Sequence, residues 1–199
     1  MKRDTIIEAG LNAVPYIGGS LATLYFGNKQ EKRFERLEKF LEQVKQELEQ
    51  NPINESALSK HNKEDLTNLI EDILNRVEIE TREEKKRLLK NFFIKTLNTP
   101  IINDIDERKT FLKILDDLSE FECILLASLF SNQDPVPIRS LGGNDIYLIY
   151  GGVNKLISLG FLETRRGDFM MNGAQDENLN PIIFISDYGK RFAEYIKII

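Results

Sequence analysis

The sequence predicts a mainly α-helical protein, in which a helical bundle is followed by a C-terminal module that contains a small β-hairpin. Two observations carry this prediction. Between residues 31 and 159, apolar side chains recur at intervals of three and four, which is the spacing of one helix face. After residue 160, two short apolar runs flank a polar stretch, which is the pattern of two strands joined by a loop.

The composition narrows the class of protein. A chain of 199 residues with 41% hydrophobic and 30% charged side chains has the balance of a globular protein. A formal charge of −5 gives no general attraction to nucleic acid or to an anionic membrane, so such binding needs a local basic patch. The single cysteine, Cys123, excludes a disulfide within the chain and favours the reducing cytoplasm. The single histidine, His61, lies among polar residues and is expected in a solvated loop or cap.

Residues 9–26 form an apolar segment without a charge, between basic flanks. The segment is marginal in length for a membrane-spanning helix, and Pro15, Gly18 and Gly19 would bend it. Two environments remain open, namely the inner face of the cell membrane and a protein surface in this chain or a second copy. The residues expected in membrane insertion or self-association are Val14, Pro15, Tyr16, Ile17, Gly18, Gly19, Leu21, Ala22, Leu24 and Phe26.

A charged helix is predicted from residue 31, and its apolar residues form a seam over two heptads. The seam consists of Phe34, Leu37, Leu41, Val44 and Leu48. Two heptads suit either an oligomer seam between chains or packing within the chain's own bundle, and both alternatives remain open.

Four more helices are predicted over residues 63–77, 81–97, 106–118 and 119–130 because each segment has an apolar stripe at helical spacing. The last of them opens with Ser119 three residues before Glu122, which is a capping box. The predicted organisation is an apolar N-terminal segment at 1–28, a helical region at 29–104 and a C-terminal domain at 105–199.

A further helix is predicted from an N-cap at Asn144 to about Leu159, with Gly160 as its C-terminal stop. Its predicted inner face consists of Ile146, Ile149, Val153, Leu156 and Ile157. Strands are predicted at 161–164 and 181–185 on either side of a loop at 166–180, and a final helix follows.

This order of elements is that of a winged-helix domain. The phrase Lys155–Leu162, followed by Ile185–Phe192, resembles the helix-to-wing signature of that family. A winged helix that reads DNA carries several basic residues on its third helix, whereas this helix has only Lys155. We therefore favour a winged-helix-like scaffold for packing or protein binding. Nucleic-acid contact through Lys155, Arg165 and Arg166 is the alternative.

The whole layout resembles the abortive-infection alpha family of bacterial phage-resistance proteins. The matching residues are Leu156–Leu162 and Tyr188–Phe192, together with the apolar N-terminus. This resemblance implies a role in antiphage defence without a defined catalytic mechanism, and it transfers no catalytic residue.

The sequence contains no Gly-rich phosphate loop, nucleophile elbow, cysteine pair or zinc motif. We therefore predict no enzyme activity, catalytic residue, metal site or cofactor. The leading hypothesis is a cytoplasmic antiphage protein that senses a protein partner and acts through its apolar N-terminus at the inner membrane, with homo-oligomers as an option. The alternative is a winged-helix transcriptional regulator that dimerises through residues 34–48.

Overall fold

The computed structural model describes residues 31–53, 55–131, 134–141, 145–165 and 181–196. These residues form eight α-helices, one short 3-10 helix and a three-stranded antiparallel sheet. The predicted class, a helical bundle followed by a module with a small β-hairpin, is confirmed. The apolar segment at 9–26, with its ten residues from Val14 to Phe26, lies outside the described residues, and so does Arg166.

The chain divides into two compact units, Met1–Asp117 and Leu118–Ile199. The described helices of the first unit are α1 (Glu31–Gln50), α2 (Glu55–Leu58), α3 (Lys63–Ile79), α4 (Glu83–Asn98) and α5 (Ile105–Asp117). Helix α1 packs on α3 and α4, and α3 also packs on α4 and α5. Phe40 of α1 and Phe93 of α4 meet edge to face in this core, with ring centroids 5.9 Å apart.

The apolar seam of α1 lies inside this bundle. Leu37, Leu41, Val44 and Leu48 are buried, and Phe34 is half-buried. Their burial against helices of the same chain corresponds to the second of the two alternatives, packing within the chain's own bundle.

Helix α5 belongs to the first unit, so the division falls after Asp117, whereas the sequence placed it between residues 104 and 105. The physical reason is the inner face of α5. Phe111, Leu112 and Leu115 are buried, and α5 packs on α3. Arg108 of the same helix is fully buried and donates hydrogen bonds to backbone carbonyls before α5.

The prediction for His61 is wrong. The polar neighbours of this residue suggested a solvated position, but only 8% of its surface is exposed. Its two ring nitrogens have backbone partners, one in the last turn of α4 and one in the segment that joins α4 to α5.

The second unit combines three α-helices with a small sheet, and its β-hairpin lies between the last two of these helices in sequence. Its described elements are α6 (Glu120–Ser131), β1 (Val136–Pro137), a 3-10 helix (Ile138–Ser140), α7 (Ile146–Ser158), β2 (Leu162–Arg165), β3 (Ile182–Ile185) and α8 (Asp187–Ile196). The strand order is β1-β3-β2, and in the predicted hairpin Leu162 pairs with Ile185 and Arg165 with Ile182. The sequence did not predict β1, because two prolines flank its single valine.

The residues that resemble the winged-helix signature, in the segments 155–162 and 185–192, connect α7, the hairpin and α8. Gly160 has a φ of 77°, which is a conformation that suits glycine after a helix. Phe161 stacks on Phe192 of α8 with ring centroids 4.5 Å apart. The hydroxyl of Ser186 donates to the Gly160 carbonyl at 2.6 Å and accepts from the Gly189 N–H at 2.9 Å, which caps α8. These positions therefore have a packing role in this fold.

Candidate functional site

The start of helix α7 presents three consecutive apolar side chains to solvent. Ile146 is 37% exposed, Tyr147 84% and Leu148 55%. We call these three residues the α7 surface. Single exposed apolar residues are common on proteins, whereas three in a row on one helical turn make this surface the candidate interaction site.

Local sequence explains why these side chains point outward. The Asp145 carboxylate accepts hydrogen bonds from the N–H groups of Tyr147 at 2.9 Å and Leu148 at 3.2 Å, so the helix begins at Ile146. Ile149 and Val153, four residues apart, are buried and fix the inner face.

Two details of α7 differ from the prediction. The expected cap, Asn144, lies outside the described residues, and Asp145 is the residue whose side chain caps the helix. Ile146 was assigned to the inner face, but it lies at the edge of that face and is partly exposed. Sequence reasoning missed the α7 surface, although two adjacent apolar residues outside the inner stripe, Tyr147 and Leu148, are a visible signal for it.

Lys155, the basic residue on α7, is engaged by a carboxylate of its own unit. Its Nζ lies 2.8 Å from Oε2 of Glu122 on α6, and the Glu122 side chain is only 12% exposed. Burial acts to raise the pKa of Glu122, but hydrogen bonds from Lys155 and Ser119 outweigh burial, and the pKa lies below its ordinary value. The carboxylate therefore stays charged at neutral pH and competes with any phosphate for the lysine.

The same glutamate completes the predicted capping box. The Ser119 N–H donates to the Glu122 carboxylate at 2.7 Å, and the Glu122 N–H donates to the Ser119 hydroxyl at 3.2 Å. Glu122 thus anchors the start of α6 and the side chain of Lys155 together.

Arg165 lies exposed at the end of β2, and its guanidinium group sits over the ring of Phe184 at 4.8 Å. The described part of the second unit carries five basic and seven acidic side chains. This balance gives no general attraction to the phosphates of DNA.

In the first unit, a polar groove of about 390 Å³ lies between α1 and α4. Its lining residues are Gln43, Gln46, Glu47, Gln50, Glu83, Glu84, Arg87 and Lys90. The basic groups of this groove already have acidic partners, because Arg87 lies 2.7 Å from Glu84 and Lys90 lies 3.1 Å from Glu47. The groove therefore offers little unsatisfied charge to a ligand.

Neither a cluster of metal ligands nor a membrane-spanning helix occurs in the part of the chain that the structure describes. There, no three or more His, Cys, Asp or Glu side chains lie close enough to hold a metal ion. None of the described helices combines the length and the apolar character needed to cross a membrane.

Comparison with known proteins adds no family. No protein-family model matches the chain, and no curated protein or solved structure matches it. The resemblance to the abortive-infection alpha family therefore remains a prediction from Leu156–Leu162 and Tyr188–Phe192.

Proposed function

We propose that this chain is a non-enzymatic bacterial antiphage protein of the abortive-infection type, which senses a protein partner through its winged-helix-like unit. In this proposal the apolar segment at 9–26 acts on the inner face of the cell membrane. The observation that carries the proposal is the α7 surface, an exposed and uncharged apolar patch at the start of α7.

The chemistry of the α7 surface fits a protein better than a nucleic acid. Aromatic residues are enriched where proteins meet, and a buried tyrosine is often a main contributor to binding energy. Tyr147 combines a large exposed apolar ring with a hydroxyl, and its neighbours Ile146 and Leu148 add apolar area. Covering such area with a protein releases about 25 cal/mol per Å² of apolar surface.

The charges of the unit support the same assignment. Protein contacts to DNA are dominated by phosphates, so they require accessible Lys and Arg side chains at the reading helix. Lys155 is paired with Glu122, and Arg165 packs over Phe184. A protein partner needs neither side chain.

The membrane part of the proposal comes from the sequence. Residues 9–26 contain no charged side chain, and such a segment requires lipid or protein to cover it. The resemblance of the chain to phage-resistance proteins agrees with an effector of this kind.

A phage challenge tests the proposal. Bacteria that express the full chain are infected with a panel of phages, and the efficiency of plating is compared with that of cells carrying the double variant Tyr147→Ser and Leu148→Ser. We expect the parent to restrict at least one phage and the double variant to lose this protection. A matched control is Ile79→Ser with Ile102→Ser, because these two isoleucines of the first unit are 62% and 66% exposed.

The control variant should protect as well as the parent. The proposal fails if the parent restricts no phage, or if the α7 double variant protects as well as the parent at equal protein level. The membrane part has its own test, in which cells are fractionated with the full chain and with a chain lacking residues 1–28. The full chain should sediment with membranes and the shortened chain should stay in the supernatant. If the two chains sediment with membranes to the same extent, the membrane part of the proposal is contradicted and the rest of it is not.

The second candidate function is a winged-helix transcriptional regulator. The observation that favours it is the exposure of Arg165 at the end of β2, where the resemblance to a winged helix implies the base of the wing. It predicts retention on immobilised duplex DNA that falls with salt and is weakened by Arg165→Ala with Arg166→Ala. Equal elution of parent and variant at every salt concentration would exclude it.

A further inference from the structure

Two buried side chains fasten the segment that joins α4 to α5, residues 99–104, which we call the connector. His61 precedes α3 and is 8% exposed, and Arg108 lies in the first turns of α5 and is fully buried. Both side chains make their hydrogen bonds to backbone groups at or near the connector.

The contacts of His61 define its protonation state. Its Nε2 lies 3.2 Å from the carbonyl oxygen of Leu97, which is one of the last four carbonyls of α4 and has no partner within the helix. Its Nδ1 lies 3.2 Å from the backbone nitrogen of Ile101, which can only donate. The ring must therefore be neutral. Its proton is on Nε2, and the unprotonated Nδ1 accepts the hydrogen bond from Ile101.

Arg108 holds the rest of the connector. Its guanidinium donates to the carbonyl oxygens of Thr99 at 2.9 Å and Pro100 at 2.7 Å. Its Nε also donates a charge-assisted hydrogen bond to Oδ2 of Asp104 at 2.8 Å, and its Nη2 lies 2.6 Å from the same oxygen in an ion pair. The charged groups that act on the His61 ring are this guanidinium from α5 and this carboxylate from the connector.

A second proton on His61 conflicts with this arrangement. It would place an N–H group on Nδ1, directed at the N–H group of Ile101, so the hydrogen bond between them would be lost. Burial lowers the pKa of His61 below its ordinary value of 6.5, and Arg108 lowers it further. The Leu97 carbonyl and Asp104 oppose that change without cancelling it.

We propose that His61 is an acid-sensitive latch on the connector, whose protonation at Nδ1 releases the N–H of Ile101 while Arg108 keeps its hydrogen bonds to Thr99 and Pro100. The direction of the pH dependence follows from the folded state, which favours the neutral ring. The latch is fully closed above pH 6.5, the ordinary pKa, and loosens as the pH falls from there to the lowered pKa of the folded state. Across that window, the opening equilibrium rises up to about tenfold for each unit of pH.

Nuclear magnetic resonance of the full chain tests this proposal directly. His61 is the only histidine in the sequence, so its ring signals need no assignment. We expect the tautomer with the proton on Nε2 at neutral pH and a titration midpoint below 6.5. The exchange rate of the Ile101 amide, divided by the intrinsic rate of that amide, should rise as the pH falls. A midpoint at or above the ordinary value, or a proton on Nδ1 of the neutral ring, would overturn the proposal.

A variant separates the latch from general acid unfolding. His61→Gln keeps one donor and one acceptor but takes up no proton, so the protection of Ile101 should become independent of pH in this window. The control adds Asn68→His to that variant, because Asn68 is exposed on α3 and a histidine there restores a titrating imidazole without a bond to Ile101. If the relative exchange rate of the Ile101 amide rises with falling pH as steeply in His61→Gln as in the parent, the latch is refuted. The titration of the unsubstituted chain decides the question even where the variant does not fold.

Discussion

Gly189 of α8 is a position where the addition of one methyl group should destabilise the second unit. A Cβ atom added there would lie 2.3 Å from the carbonyl oxygen of Phe161 and 3.0 Å from a side-chain carbon of Ile185. The nearer atom belongs to the backbone and accepts the N–H of Ser186 at 2.9 Å, so it cannot move without breaking that hydrogen bond. Gly189→Ala should therefore force α8 away from the start of the hairpin.

The expected loss of stability combines three contributions. Overpacking of a rigid site costs about 1–3 kcal/mol. Loss of the bond from Ser186 to Phe161 costs about 1 kcal/mol more. Alanine is a better helix former than glycine by about 1 kcal/mol, which offsets part of this cost. We expect Gly189→Ala to lower the free energy of unfolding of the second unit by about 1–3 kcal/mol.

The chain supplies its own control and its own probe. A Cβ atom at Gly151 of α7 would meet nothing within 4 Å, so Gly151→Ala should raise the stability by up to about 1 kcal/mol. Cys123 is the only cysteine and is buried in α6, so its reaction with a thiol reagent in urea reports the unfolding of the second unit. A Gly189→Ala chain whose thiol becomes reactive at the same or a higher urea concentration than that of the parent would refute this reasoning.

Three further predictions test the first unit. Leu41→Ala should lower the free energy of unfolding by about 2–5 kcal/mol. It should leave the oligomeric state by light scattering unchanged, since Leu41 is buried in the chain's own bundle, and a shift to a smaller species would instead place the seam between chains. Arg108→Met should cost about 1–3 kcal/mol in urea unfolding followed by circular dichroism, because it removes the buried donor to the Thr99 and Pro100 carbonyls; a loss below about 0.5 kcal/mol would contradict this role. A hydrogen bond from Arg82 lowers the pKa of Glu80 to about 2. The contribution of this interaction to the stability of the folded chain is therefore present above pH 4.5 and is lost as the pH falls towards 2. Glu80→Gln should flatten that part of the profile of stability against pH, and an unchanged slope would count against the assignment.

The elements that the sequence predicted are those with a local cause. The apolar stripes of α3 and α4 repeat within one segment of chain, and the capping box of Ser119 and Glu122 spans three residues. The hairpin follows from two apolar runs around a polar stretch. In each case the residues that decide the structure are neighbours in sequence.

The features that the sequence did not predict depend on distant partners. His61 lies among polar neighbours, but its two partners, Leu97 and Ile101, are 36 and 40 residues away. Arg108 lies between the charged residues Glu107 and Lys109 in the sequence, although the fold buries it under backbone carbonyls. Lys155 was predicted as a candidate cation for DNA, and its partner Glu122 lies 33 residues before it. Local patterns contain no information about such contacts.

A crosslinking measurement tests most directly whether the α7 surface meets a protein. A photoreactive phenylalanine analogue is placed at position 147 of the full chain, and cells are irradiated before and after phage infection. The control chain carries the analogue at position 194, where Glu194 is exposed on α8. The proposal predicts an adduct at position 147 that a protease removes and a nuclease leaves intact, with no such adduct at position 194. An adduct that a nuclease removes, or equal adducts at both positions, would contradict it.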